Sequence, residues 1–370
     1  MRHMPPTTRS HLLALLPIVA MLAACAEQPP EEPTRSPALA ALLAAAPVVA
    51  GADTSQRDGV LGNVRHARLL TDGAGVVVAD FATPFLRVFD RRGRLVTTAL
   101  PRGSGPWEAR SVWALAVSGG NAILVLTSTG LREFAYEADT LRFVAAHRQP
   151  ADISIFTLAS YCDDGWVAYT TPRTDALVDA PVLAVTSRDA DGRLHWEERL
   201  RWPTLAVNRA WGKLYRMGSD GERVYIRHDY HPRAPVLAVP CEPAGDSVVV
   251  LRETQSAPDD DNEVRPAAQG EATVITYPYV LYTGFAVWNG LLIESETTTD
   301  RSSDGTLTAV TTFSVTDRGA RRSVLVDGDW QILDARDGEL LIGVDEPEPH
   351  VLLLPADALV SAIRGGGDRR

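Results

Sequence analysis

The 370-residue chain is 45% hydrophobic and 22% charged, with 47 acidic against 36 basic side chains and a net charge of −11. That length and apolar content support one large domain or two average ones, and an acidic chain without clustered cations argues against nucleic acid as a partner. Arginine outnumbers lysine 35 to 1, a composition bias from which no function follows.

Residues 1–24 read as a leader. Arg2 and Arg9 make a basic start, Leu12 to Ala24 an apolar run too short to span a bilayer, and Leu22-Ala23-Ala24-Cys25 ends it with small residues before a cysteine. The last four residues resemble the lipobox of bacterial lipoproteins. The resemblance implies a Cys25 thiol alkylated with diacylglycerol, a membrane anchor at the mature N-terminus, and a place in the bacterial cell envelope. Ala26 follows, where an aspartate would favour inner-membrane retention, so the resemblance implies the outer membrane, on its periplasmic or surface face. Without the leader the net charge is −13.

Residues 25–50 are expected to be tether and lead-in. "AEQPPEEPTRSP" is rich in Pro and Glu and reads as an extended, solvated chain reaching roughly 35 Å at about 3.1 Å per residue. "ALAALLAAAPVVA", Ala38 to Ala50, is apolar, short and broken at Pro47; it predicts a packed helix or strand edge.

From residue 51 one pattern recurs: an apolar strand, a Gly-centred turn, a second apolar strand, a polar break and a third strand. It appears six times, around Gly73, Gly120, Gly165, Gly221, Gly290 and Gly338, at intervals of 47, 45, 56, 69 and 48 residues. Asp-Gly, Asn-Gly and Gly-Gly are the dipeptides of tight hairpins, whose turns need positive φ. A four-stranded antiparallel unit of that size cannot bury both faces alone, but six packed around an axis can. The prediction is an all-β chain, a six-bladed β-propeller of four-stranded antiparallel blades over residues 51–364, with a tail at 365–370. The last unit shows three clear strands, and either Val48 to Val60 or "DALVSAIR" can supply the fourth.

The first unit carries a family resemblance. "VVVADFATPFLRVFDRRGRLVTTALPRGSGPWE" is similar to a blade of the six-bladed NHL-like and TolB-like propeller lipoproteins of bacterial envelopes, with Asp80, Val88-Phe89-Asp90, Gly93, Gly103, Gly105, Pro106 and Glu108 in the family positions. Trp107 stands where the pattern has glycine. The resemblance implies a fold more than an activity.

In such a blade the strands run A to D outward from the axis. The A–B and C–D turns share one rim, and the longer B–C and D–A loops share the other. Loops on a rigid scaffold are where recognition sits. Within that rim, Arg102, Trp107, Glu108 and Arg110 join an aromatic to charges, the make-up of a binding anchor, although Trp107 can equally fold back to seal two blades. "HDYH" sets His228 and His231 around Asp229 as further binding candidates. The two imidazoles, with Asp80, Glu294 and Asp345 taken to lie at equivalent blade positions, are candidate ligands for a divalent cation such as calcium, although solvated polar residues explain them as well. Cys162 and Cys241 fall in an A–B and a C–D turn, both on the opposite rim, where an oxidising envelope permits a disulfide. No sequence motif for catalysis occurs. The reading is a lipid-anchored binding module for a protein partner or extracellular ligand. The competing class is a hydrolase or lyase with a cation at the axis, which demands inward carboxylates converging at one depth; a binder demands an aromatic-rich rim.

Overall fold

The computed structural model describes residues 33–51, 57–149, 153–161, 165–172, 182–189, 191–201, 215–228, 236–241, 249–252, 280–301, 307–317, 320–345 and 348–365. The fold below is that of the compact unit Thr34–Arg370.

The chain enters through β1 (Thr34–Arg35), α1 (Pro37–Ala45) and β2 (Val48–Ala50). Blade 1 follows as β3 (Val64–Leu69), β4 (Val76–Asp80), β5 (Leu86–Phe89) and β6 (Leu95–Ala99). Blade 2 is β7 (Val112–Ser118), β8 (Ala122–Thr127), β9 (Gly130–Glu137) and β10 (Thr140–His147). Blade 3 is β11 (Ile153–Tyr161), β12 (Gly165–Pro172), β13 (Val182–Arg188) and β14 (Leu194–Arg201). Blade 4 is β15 (Tyr215–Ser219), β16 (Arg223–His228), β17 (Val236–Pro240) and β18 (Val249–Arg252). Blade 5 is β19 (Val280–Trp288), β20 (Leu291–Arg301), β21 (Leu307–Asp317) and β22 (Ala320–Asp327). Blade 6 is β23 (Trp330–Arg336), β24 (Glu339–Val344) and β25 (His350–Pro355), after which α2 (Ala356–Gly365) ends the described chain.

Within each blade the strands pair antiparallel in chain order, and the first strand of each blade touches the first strand of the next, from β3 round to β23 and back to β3. That is a closed six-bladed propeller with β3, β7, β11, β15, β19 and β23 around the axis.

The missing fourth strand of blade 6 is β2. Val48 pairs with Leu352 and Ala50 with Val351, antiparallel, and the Leu353 N–H donates to the Pro47 carbonyl at 3.1 Å. The segment "DALVSAIR" is instead the helix α2, whose apolar residues Leu359, Val360 and Ile363 are buried at helical spacing. The lead-in expected over residues 25–50 is thus part of the propeller from Thr34 onward. Its short apolar stretches stay dry against the ring, α1 at the seam of blades 5 and 6 and β2 at the seam of blades 6 and 1. β1 adds a fifth, parallel strand to the outer edge of blade 5 through Thr34 and Val324. Ser36 caps α1, its hydroxyl accepting from the Leu39 N–H, and Pro37 opens the helix where no donor is needed.

Burial explains the sequence pattern of the blades. Every residue of β4 and β5 is buried, because inner strands meet a neighbouring blade on each face. The outermost strand β10 alternates between exposed and half-buried along its eight residues. The apolar cores lie between blades, not within them. Leu86 and Phe85 of blade 1 pack with Leu115 and Phe134 of blade 2, Leu124 with Trp166 across blades 2 and 3, and Tyr169 with Ile226 across blades 3 and 4. Tyr225 packs with Phe285 across blades 4 and 5, Phe313 with Ile342 across 5 and 6, and Leu341 with Val78 across 6 and 1. Leu39 and Leu43 of α1 join the seam between blades 5 and 6 together with α2.

Polar groups bridge the same seams. Glu133 of blade 2 accepts from Arg188 of blade 3 at 2.6 Å and meets His147 Nε2 at 2.9 Å, with only 5% of its side chain exposed. Burial pushes the Glu133 carboxyl up, but the hydrogen bonds from His147 and Arg188 and the guanidinium charge outweigh it and hold it below its ordinary value. A carboxylate with a depressed folded-state pKa adds stability above its unfolded value, about 4.3, and loses it as pH falls through the folded value. Replacing it, Glu133→Gln, is expected to flatten the fall in unfolding free energy between about pH 5 and pH 3, measured by urea titration at each pH. Superimposable profiles for the two proteins would contradict this.

Candidate functional site

The loop "RGSGPWEAR" between blades 1 and 2 is built around its own glutamate. The Gly105 N–H donates to Glu108 Oε2 at 2.8 Å, Gly103 donates to the Ala109 carbonyl at 2.8 Å, and Ala109 donates to that of Pro101 at 3.1 Å. A Cβ on Gly103 would collide with the Glu108 carboxylate, which is why the two small residues and the acid occur together. Glu108 is thus an internal clasp. Arg102 lies 5.7 Å from the centre of the Phe85 ring, and Arg110 donates to the Ser104 hydroxyl at 3.2 Å. Trp107 remains 49% exposed at the tip, so it does not seal the blades.

Two more aromatics reach solvent through irregularities that the sequence pattern does not display. The register of β7 slips between Val112 and Ala114, and that of β11 between Ile155 and Thr157. The extra residues are Trp113 and Phe156, both exposed; a bulge re-aims a side chain out of its sheet. Similar slips occur in β3, β19 and β23, so bulging is common to five of the six axial strands. Phe81, exposed just after β4, and Val60, before β3, complete the set. Val60, Phe81, Trp107 and Trp113 lie at the rim that carries the B–C and D–A connections, hereafter the upper rim, in blade 1 and at the start of blade 2, whereas Phe156 lies inside β11 with its ring 5.7 Å from that of Tyr169.

The carboxylates proposed to hold a cation are engaged by the protein itself. Asp80 is buried and paired with Arg87 at 2.8 Å, and its two oxygens also accept the N–H groups of Gly62 and Asn63 at 2.8 and 2.9 Å. Arg87 is tied in turn to the carbonyls of Asp58 and Ala82. Asp345, at the upper end of β24, accepts from the Val64 N–H at 2.9 Å and from the Asn63 amide at 3.2 Å, tying blade 6 to blade 1. Glu294 does not stand at an equivalent height. It is the fourth residue of β20, well below the strand's upper end, and is locked to Arg227 of blade 4 at 2.8 Å with neither side chain exposed. Glu296 takes a second Arg227 nitrogen at 2.8 Å. Among the described residues no three His, Cys, Asp or Glu side chains are grouped as a metal would need.

His228 ends β16, while Asp229 and His231 lie outside the described residues, as do Cys25 and Cys162. Cys241 is buried, and its carbonyl accepts from the Tyr161 hydroxyl at 2.7 Å, which brings the neighbour of Cys162 to the neighbouring blade's C–D turn.

A charged group that the sequence reading missed sits at the axis. Arg68 of β3, Asp334 and Arg336 of β23 and Ser160 of β11 line a small recess with space for about one water near the lower ends of the axial strands. Burial and the nearby Arg216 and Arg336 push the Arg68 guanidinium down against the pull of Asp334, and burial pushes the Asp334 carboxyl up against both arginines. Both directions favour the neutral form, as expected where charge is held away from bulk water. The available signal was an arginine inside each of two apolar strands assigned to the axis, "VRHARL" and "WQILDAR".

No protein-family model and no curated protein matches the chain. Solved structures do. One is a protein from Bacteroides fragilis described as exported, at 15% identity, with a TM-score of 0.53 over 80% of this chain and 91% of its own. The shared fold is the six-bladed propeller. Two others are a calcium-binding regucalcin from Agrobacterium tumefaciens, at 11% identity and TM-score 0.47 over 84% of this chain and 93% of its own, and a gluconolactonase from Xanthomonas campestris, at 10% and 0.43 over 89% and 99%.

If Asp80 is a structural counter-ion, removing its partner leaves a carboxylate buried and unpaired. Arg87→Leu is expected to cost about 3–5 kcal/mol in urea unfolding. A loss under about 1 kcal/mol would show that Asp80 is solvated or otherwise held.

Proposed function

We propose that this chain is a lipid-anchored binding propeller of the bacterial envelope, held by Cys25 and engaging a protein partner or extracellular ligand through the upper rim of blades 1 and 2. One observation carries the reading. Of the six large apolar side chains exposed among the described residues, Val60, Phe81, Trp107 and Trp113 share that rim, while Phe156, inside β11, and Val144, on the outer strand β10, do not. Single exposed apolar residues are ordinary, but their concentration on one edge, with two tryptophans, matches the make-up of interaction surfaces.

The rim is held rigid beneath these residues. The Glu108 clasp lies in the loop that carries Trp107, and the Asp80–Arg87 pair joins β4 to β5 beside Phe81. A preformed surface lowers the ordering cost of binding. The membrane attachment rests on the leader and the lipobox-like Leu22-Ala23-Ala24-Cys25; among the described residues no helix is long and apolar enough to cross a membrane.

The test compares the detergent-solubilised wild-type chain with the double variant Trp107→Ala/Trp113→Ala as baits for envelope extract. The expected result is a protein or glycan recovered by the wild type and lost by the variant, with thermal unfolding midpoints within about 4 °C of each other. Equal recovery by both baits would contradict the assignment of the rim.

A further inference from the structure

The aromatic rim carries cations that the protein leaves unanswered. Arg102 and Arg110, in the loop that holds Trp107, and Arg148, just past the upper end of β10, are exposed and make no ion pair among the described residues. The Arg102 guanidinium lies over the Phe85 ring and Arg110 reaches the Ser104 hydroxyl, so both forks keep donors for another molecule. Exposed arginines elsewhere are answered: Arg91 by Glu339, Arg94 by Asp90, Arg142 by Glu137 and Arg364 by Asp317. The described acids of this stretch of rim are occupied. Glu108 is turned under its own loop onto the Gly105 N–H, and Asp80 is buried against Arg87. Asp58, exposed before β3, lies beside Arg87, which takes its carbonyl at 2.6 Å. A positive, aromatic stretch thus stands on a chain whose net charge is −11.

We propose that this surface docks an acidic segment of a protein partner, Trp107 and Trp113 taking its apolar side chains and Arg102, Arg110 and Arg148 its carboxylates, an inference that rests on the reading of the rim as a binding surface. Arginine forks match carboxylates bidentately, and tryptophan and arginine are the side chains that dominate interface energetics. Opposite charge across an interface steers association and selects the partner, the more so where the rest of the chain repels acids. The other neighbour that suits tryptophans beside arginines is an anionic lipid surface, and the path of the chain argues against it. β1 pairs parallel with β22, which rises from the C–D turn at the lower rim, so the chain enters the disc from below and runs toward the upper rim. With the anchor at Cys25, that direction turns the aromatic rim away from the bilayer.

The experiment pans the full mature chain, in detergent, against a phage-displayed library of random peptides, then titrates the recovered peptides by fluorescence anisotropy. Peptides with an excess of Asp and Glu interleaved with apolar residues are expected, with affinity falling about tenfold or more between about 50 and about 500 mM NaCl. Arg102→Gln/Arg110→Gln/Arg148→Gln is expected to weaken them about tenfold and flatten that salt dependence. Trp107→Ala/Trp113→Ala is expected to weaken them about thirtyfold and leave it unchanged. All five side chains are exposed or at the chain surface, and unfolding midpoints confirm that each variant is folded. Neutral or basic peptides that need the tryptophans would overturn the acidic partner and keep the rim; no enrichment, or peptides indifferent to both variants, would overturn the rim as well. In a second arm the Cys25→Ser chain is sedimented with phosphatidylglycerol vesicles. No binding is expected, and binding lost in the tryptophan variant would assign the rim to lipid and overturn the protein partner.

Discussion

The whole architecture depends on closing a ring with a strand from the other end of the chain. A blade of this protein has no core of its own; every apolar cluster spans two blades, and so each blade stays dry only while both neighbours are present. An open ring would leave the free faces of two blades wet and β25 with an unpaired edge. β2 removes that edge. Its three residues place Val49 and Ala50 completely out of solvent, and Gly51, at φ 85°, turns the chain away where a Cβ would strike the Pro349 carbonyl. Fully burying one aliphatic side chain is worth about 1.5–3 kcal/mol, but the larger consequence is that both adjoining seams survive.

The same segment also ties the two ends of the described chain together. α1, immediately after β1, packs Leu39 and Leu43 against α2 and the last two blades, so the two ends of the described chain share one apolar cluster. A chain tethered through Cys25 would enter the disc at blade 5 and close it at blade 6. The tether would then act on elements built into the ring.

How much of this the sequence displays differs by level. The blade count follows from six turns such as Asn289-Gly290 and Asp337-Gly338, where both residues adopt positive φ and few dipeptides fit. The strand order follows from the run of buried residues in "VVVAD" against the alternation in "TLRFVAAH". The closing strand was ambiguous, because "VVA" is too short to carry a period and "DALVSAIR" is apolar enough for either element. The site was less legible. Trp107 could be read as exposed or sealing, and only the Glu108 clasp, which fills the space beneath the loop, decides it. Trp113 and Phe156 were hidden because a bulge breaks the two-residue alternation. Asp80, Glu294 and Asp345 looked like metal ligands because composition does not reveal the partner: Arg87 and Arg227 lie on strands, where a charged side chain reads as solvent-facing, yet both are buried. Arg68 and Arg336 were missed for the same reason, since only the ring brings blades 1 and 6 together.

The central claim, closure of the ring by Val48–Ala50, is tested most directly by amide hydrogen exchange at Leu353, whose N–H donates to the Pro47 carbonyl across the closing edge. In the mature chain this amide is expected to exchange only by global unfolding, with protection equal to that of the inner-strand amides of β24, and to become freely exchanging when residues 34–50 are deleted. Rapid exchange at Leu353 in the intact chain, or unchanged protection after the deletion, would contradict it.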